Sequence, residues 1–532
     1  MRLFRILIIF ISLIAGGGLA LAQSEGDKAK IKILHAKVAY PGRDTLPTKL
    51  VGDVKLQHND MIMTCDSLYQ YDHINFIKAF GNVHMVQNDT LNMWGDYATY
   101  DGNSQMAKVR NNVKLDDNSI TLTTNFLDYD AANKIGYYFN TGKIFDDVNT
   151  LESDYGYYYM PIKQMFFKDS VVVNSPEYVM NSDTMKYHTE TKVINILGPT
   201  TIVGENRTLY SEDGWYNSLS AHAELYKNNR ISFNTYSGKA DTIVADSATN
   251  MIIMRNNLSL LDSVNNVLVE GNYGEMQKET NYAFVTKRAL LTMIGNPDSL
   301  FLHADTLTLK KEIRDSVETN IVDAFYKVRM FNRDLQAVCD SMSFTTKDSL
   351  IYLYKDPVVW ASGNQLTAEI IDLKLKDGMA NQFHMQNNSL IVNPMDPKLI
   401  KLLDSTMFNQ IKGRTVTGYL RNNELYQVFV DGSGETIYYP DDQGYPFALT
   451  KVLSSQIRIE LENRQIQTIT FLQKPEGTMN PLFMVTEDMK YLGGFKWRES
   501  ERPESKADLF TESSQNTEQQ TEEEVSDTKE TE

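Results

Sequence analysis

The sequence contains residue types capable of catalysis, but they are not arranged for it. Its eight histidines, among them His35, His58, His73 and His84, show no metal-ligand spacing. No His-Glu-x-x-His, Gly-x-Ser-x-Gly or phosphate-loop pattern occurs. Carboxylates are abundant enough to pair for glycoside chemistry, so polysaccharide cleavage stays open as a minor reading. The expectation is a non-enzyme with no catalytic residues, no metal and no cofactor. One acid recurs per repeat, too sparse for a calcium roll with several ligands per turn, so the acids are predicted to serve turns and surface. Cys65 and Cys339 each precede an Asp-Ser pair. Their equivalent places in widely separated repeats predict small buried residues, not a disulfide.

What is organised is the repeat itself. Tyr71, Tyr100, Tyr129, Tyr158, Tyr187 and Tyr216 follow one another at a constant step of 29 residues. Seven places before them stand Thr64, Met93, Leu122, Leu151, Met180 and Leu209; five before stand Asp66, Gly95, Thr124, Ser153, Ser182 and Ser211. Four before stand Ser67, Asp96, Asn125, Asp154, Asp183 and Glu212, and the opening unit is offset by one because Asp66 belongs with the acids. On a strand of period 2, places −7, −5 and −3 share an inward face and place −4 points out. A second strand is predicted after each Gly/Asn/Asp turn, as in Gly52-Asp53-Val54-Lys55-Leu56 and Gly81-Asn82-Val83-His84-Met85. Small–acid pairs continue at Ala245-Asp246, Gly271-Asn272, Ala304-Asp305, Cys339-Asp340 and Ala368-Glu369 with a drifting step. The pattern breaks around 395–404, with a helical-looking run at 398–403, and β alternation resumes after it.

Tyr, Val, Ile, Thr and Phe suit pleated, half-buried surfaces, and 29 tyrosines equal the glycine count. The fold class is therefore all-β: an elongated, solenoid-like stack of antiparallel strands built from repeats of 29 residues. The inward apolar column supplies the candidate binding residues Val54, Leu56, Val83, Met85, Met93, Leu122, Leu151, Met180 and Leu209. Periodicity alone does not separate a lining from a packed core. The tyrosines are predicted to form a structural ladder.

The ends differ from the middle. Arg2 and Arg5, an apolar stretch at 6–15 and Ala20-Leu21-Ala22 read as a cleaved export signal at 1–22. Gly16-Gly17-Gly18 interrupts the run before it reaches the roughly 20 apolar residues of a spanning helix. The last segment, 499–532, holds 12 acidic and 3 basic residues, a net −9 of the chain's −17, and reads as a solvated tail. No basic patch offsets it, which excludes nucleic acid as a partner. The intervening chain divides into regular repeats at 23–225, degenerate repeats at 226–395 and a further β segment at 405–498.

Units of the form Gly-Asn/Asp-Val-x-apolar, a polar turn, then apolar-x-Ala/Cys/Ser-Asp-x-x-x-Tyr-Asp resemble the OstA/LptA-like (organic solvent tolerance-like) family of lipopolysaccharide-transport proteins. The clearest copies are 52–72, 81–101 and 113–130, and the likeness extends more weakly to about Glu369. In length and C-terminal segment the chain is most similar to the long members from Bacteroidota-type bacteria, which carry no outer-membrane barrel. The resemblance implies a β-jellyroll folded as a V-shaped trough, placed in the periplasm or associated with the outer membrane. It implies lipopolysaccharide (lipid A) as ligand, with its acyl chains in the trough. It also implies stacking on other transport jellyrolls, or on itself, through sheet edges. The alternative is a structural or adhesive β-solenoid that binds protein or glycan on its outer face.

Overall fold

The computed structural model describes residues 29–511 apart from 147, 247, 278, 296–297, 315–316, 346–348, 377–378, 396–406, 422–423, 443–444 and 463–464. The expected signal at 1–22, the helical-looking run at 398–403 and the chain beyond 511 lie outside the described residues. Among the described residues the regular elements are antiparallel strands and short 3-10 turns such as Asp72–Ile74. The chain forms two compact units. One runs to residue 147 and includes 154–163; the other takes 148–153 and everything from 164 onward.

In the first unit each 29-residue step is a hairpin of two long strands. Thr48–His58, Met61–Tyr71, Phe76–Gln87, Leu91–Asp101, Met106–Asp116 and Thr121–Asp130 pair successively. The Gly/Asn/Asp pairs predicted to be turns between strands lie instead inside them. Gly81 and Asn82 have φ of 73° and 44°, and Asn111 and Asn112 have 61° and 51°. Two successive left-handed residues turn the chain sharply, and only Gly, Asn and Asp visit that region at low cost. Opposite each pair the neighbouring strand supplies a single residue: Val83 faces Gly95 and Phe80 faces Tyr97, leaving Asp96 alone against Gly81-Asn82. This is a bulge, and its repetition at every rung bends the sheet along one line into two walls.

The acid column fastens that corner. Asn82 Nδ2 donates to Asp66 Oδ2 at 2.9 Å and Asn112 Nδ2 to Asp96 Oδ2 at 2.7 Å. In the second unit Asn257 donates to Asp241 at 2.8 Å, and Asn387 and Asn388 donate to Glu369 at 3.0 and 2.9 Å. The bend also corrects one expectation. Places −7 and −5 face inward, as Met93 and Gly95 do, but place −3 does not: Tyr97 is half-exposed while Ala98 and Tyr100 are buried. The unpaired acid adds one residue to the count, so the inward phase shifts past the corner. Strand pairing also confirms the offset of the first unit: Met63, not Thr64, occupies the column of Met93.

The far ends of the two walls meet through the tyrosines. His58 Nδ1 lies 2.7 Å from the Tyr100 hydroxyl, Tyr129 donates to Gln87 Oε1, and Tyr158 donates to Asp117 Oδ2. Gln87 Nε2 also reaches Asp60 in one hairpin tip and the Ala131 carbonyl in another at 3.1 Å. Burial pushes the phenols of Tyr100 and Tyr129 up, so both stay neutral donors. Cys65 and Cys339 are free and buried, as predicted, and burial pushes their thiols up to about 11 and about 12.

In the second unit the bent-strand pattern continues through Met251–Asp262 and Tyr282–Met293 to Phe408–Arg421 and Ala448–Glu462. The segment 499–511, assigned to the solvated tail, is ordered. Leu509 is 1% exposed, Arg498 pairs with Glu501 at 2.6 Å, and Arg502 pairs with Glu499 at 3.0 Å. Composition alone misreads it, because its acids are matched locally by arginines and Pro503, Leu509 and Phe510 are wholly or partly buried.

Candidate functional site

The bend places one side chain per strand from the first wall in line on the interior. In the first unit the line runs Leu56, Met63, Met85, Met93, Leu115, Leu122 and Ile144, each directly opposite the next. In the second it begins Leu151, Val173, Met180, Ile202, Leu209, Ile231 and continues through Leu291 and Leu302 to Ile391 and Ile411. Alternation along a bent strand thus yields an apolar stripe running across the strands. Val54 and Val83 stand beside it, one step nearer the corner, each opposite a small residue of the next strand.

The nine candidate residues fall into two classes. Val54, Leu56, Met85, Met93 and Met180 are fully buried, Val83 and Leu122 are 1% exposed and Leu151 is 5%. There the interior is packed, not an open V. Met and Leu from one wall fill against Ala79, Ala98, Val109 and Leu127 from the other. Leu209 differs. It lies half-exposed, and so do its column neighbours Ile202, Ile231, Leu260 and Val269. The opposite wall is half-exposed at Ile252, Met254, Met276 and Val285, whereas Leu225 and Ile243 just before them are each 1% exposed and form a buried cluster on which Leu209 and Ile231 pack. Beyond this window the column closes, with Leu302 at 4% and Met330 at 1%, and is half-exposed again at Ile411, where a cavity is lined by Ile391, Leu425, Val428 and Ile459.

The window coincides with missing side chains. Gly238 occupies the column between Ile231 and Leu260. On the opposite wall Gly214 sits between Ile196 and Leu225, and Gly274 between Met254 and Val285. With no side chain at these three places the walls have less to fill the space between them, although sealed rungs carry small residues too, at Ala79, Ala98, Ala324 and Ala337. Neighbours lean in without closing it: a Cβ on Gly238 would stand 3.1 Å from Leu260 Cδ1. Sequence reasoning found only Leu209 of this set, because it followed the regular tyrosine step and stopped where the step drifts. The glycines in inward register were the available signal.

Chemically the window is a partly exposed apolar surface without catalytic equipment. Its lining holds no paired carboxylates or nucleophile, and no group of three or more His, Cys, Asp or Glu among the described residues could hold a metal. Such a surface can shield hydrocarbon from water and do little else. No helix among the described residues is long and apolar enough to cross a membrane.

Comparison with known families adds one finding. Residues 28–183 match the OstA-like protein family. No curated protein matches the chain.

Proposed function

We propose that this chain, whose residues 28–183 match the OstA-like protein family, is a periplasmic lipid carrier of the lipopolysaccharide-transport kind. In this reading it shields the acyl chains of lipopolysaccharide on their way to the outer membrane. The observation that carries the reading is the apolar column of the second unit, half-exposed from Ile202 to Val269 and sealed at Leu302 and Met330. Each CH₂ withdrawn from water is worth about 0.8 kcal/mol. A multi-acylated lipid therefore needs a continuous apolar surface to leave its bilayer, and the window is where that surface is already presented. Passage further along exchanges side-chain contacts for acyl contacts of similar kind. What resists it is the row of tyrosine bonds at the wall ends, such as Tyr129 to Gln87. Sheet edges support the stacking expected of a bridge: Gln465–Leu472 and Glu476–Pro481 each pair with Ala448–Glu462 on one side.

Site-specific photo-crosslinking in cells tests the reading. Probes at Leu209 or Ile231 should capture lipopolysaccharide, probes at the sealed Met93 less, and probes at the exposed Asp96 or Asp183 least. Depletion of the protein should leave lipopolysaccharide at the inner membrane. Equal labelling at all positions, or normal surface lipopolysaccharide after full depletion, overturns it.

A further inference from the structure

In the second unit the first wall is apolar on both faces. Val358, Val359 and Trp360 are all buried, as are Leu390, Ile391 and Val392. Val359 and Ile391 belong to the interior core, whereas Leu390 and Val392 join a separate cluster with Phe408, Tyr439, Leu449 and Leu492. A strand buried on both faces needs a second layer, and the chain's own C-terminal segment supplies it. Phe495 and Trp497 pack at a tilt against Phe408 with ring centroids 5.2 and 5.1 Å apart.

The polar contacts are more specific than the apolar ones. Gln410 donates from Nε2 to the Lys490 carbonyl at 2.7 Å, and its Oε1 accepts from the Leu492 amide at 2.8 Å. Gln365 repeats this six residues later, donating to the Lys496 carbonyl at 2.6 Å and accepting from the Arg498 amide at 2.7 Å. Gln336 accepts from Arg502 Nε at 2.8 Å. Each glutamine stands three places before the corner pair of its strand: Cys339-Asp340, Ala368-Glu369 and Gly413-Arg414. They therefore occupy one column, two strands apart, a spacing of about 9.6 Å. A side-chain amide that pairs both the N–H and the C=O of a passing chain copies what a strand edge does. Gln365 and Gln410 are 0% exposed and Gln336 is 3% exposed with the segment in place, so the segment seals these bonds from water.

We propose that this outer face is a peptide-docking track read by the Gln336, Gln365 and Gln410 column, and that residues 482–511 are a separable docking motif that fits it in cis. The motif presents a carbonyl and an amide at 490/492 and again at 496/498, matched to Gln410 and Gln365 two strands apart, and at Gln336 it presents the Arg502 side chain instead. It anchors with Leu492, Phe495 and Trp497 and closes with Arg498 on Asp356 at 2.7 Å.

Two measurements on the full-length chain test this. In hydrogen exchange, Gln365→Ala should speed exchange of the Arg498 amide at least tenfold, and Gln410→Ala should do the same for Leu492. Unchanged protection overturns the glutamine readout. Second, a labelled peptide of residues 482–511 is added to a chain whose own motif is disabled by Leu492→Asp and Trp497→Asp. It should bind one to one, fail to bind the unaltered chain, and bind at least tenfold more weakly when Gln365 and Gln410 are also alanine. No binding, or binding indifferent to the glutamines, overturns the proposal, and the exchange arm stands even where the double aspartate chain does not fold.

Discussion

At the scale of single residues, the most informative group is Asp117. Its side chain is 6% exposed, and burial by itself would raise its pKa. Bonds from Tyr158, from the Ser119 hydroxyl at 2.7 Å and amide at 3.0 Å, and Lys163 at 3.4 Å outweigh burial and hold the carboxyl below its usual 3.8. The folded chain thus binds fewer protons here than the unfolded chain. The stability contributed by this group is fully present above the ordinary carboxylate range and is lost as pH falls through the folded value. Asp117→Asn should cost about 1.5–3 kcal/mol at neutral pH, the value of hydrogen bonds to a charged group. The gap from wild type should narrow on acidification, read by denaturant unfolding across a pH series. A gap that stays constant down to the acid limit would mean the carboxyl is not ionised in the folded chain. The tyrosine step that first marks the repeat therefore has a physical role: Tyr100, Tyr129 and Tyr158 tie the wall ends together, which their spacing does not reveal.

At the scale of the element, the bent strand decides everything above it. A flat 11-residue strand would put one face in and the other out along its whole length. The bulge at Gly81-Asn82 opposite Asp96 lets both walls turn an apolar face to one interior. Asn82 holds φ of 44° and donates to Asp66. Asn82→Gly should cost little, since glycine accepts the conformation and only an exposed bond is lost. Asn82→Val should cost about 1–2 kcal/mol for the left-handed backbone, with more for its branched side chain. Thermal unfolding of the two variants separates backbone from side-chain effects, and equal losses would show that the corner depends on the bond alone. Much of this element was legible in the sequence: the two strands per repeat, the inward −7 and −5 columns, the outward acid. The corner was not, because Gly-Asn pairs mark hairpin turns and bulges alike. Only the register of two neighbouring strands tells them apart, and it is that register that moves place −3 outward.

At the scale of the whole molecule, the candidate site could be read only in part. An apolar column is a property of one wall and shows in the sequence; its exposure depends on what the opposite wall places against it. Leu122 and Leu209 occupy the same repeat position, yet Leu122 meets a filled interior and Leu209 an interior thinned by Gly238 and Gly214. The docked segment at 482–511 was hidden for a similar reason, its acids outnumbering the few rings that anchor it. The difference between sealed and open rungs gives a test of lipid binding that separates it from fold stability. A ligand that binds the folded chain raises its stability by RT ln(1 + [L]/Kd), about 2.7 kcal/mol at a hundredfold excess over Kd. For a unit of this size that corresponds to a Tm rise of about 3 °C. Leu122→Ala removes packing from a sealed rung and should lower the basal Tm by the equivalent of about 2–5 kcal/mol. The increment on adding lipid A in detergent should remain. Ile231→Asp places a charge in the half-exposed window, where water still reaches it, so the basal Tm should fall less. The increment should vanish, because an acyl chain in the window would strip that charge of water. Were Leu122→Ala to lose the increment and Ile231→Asp to keep it, the lipid would bind in the sealed column and the window would be no part of the site.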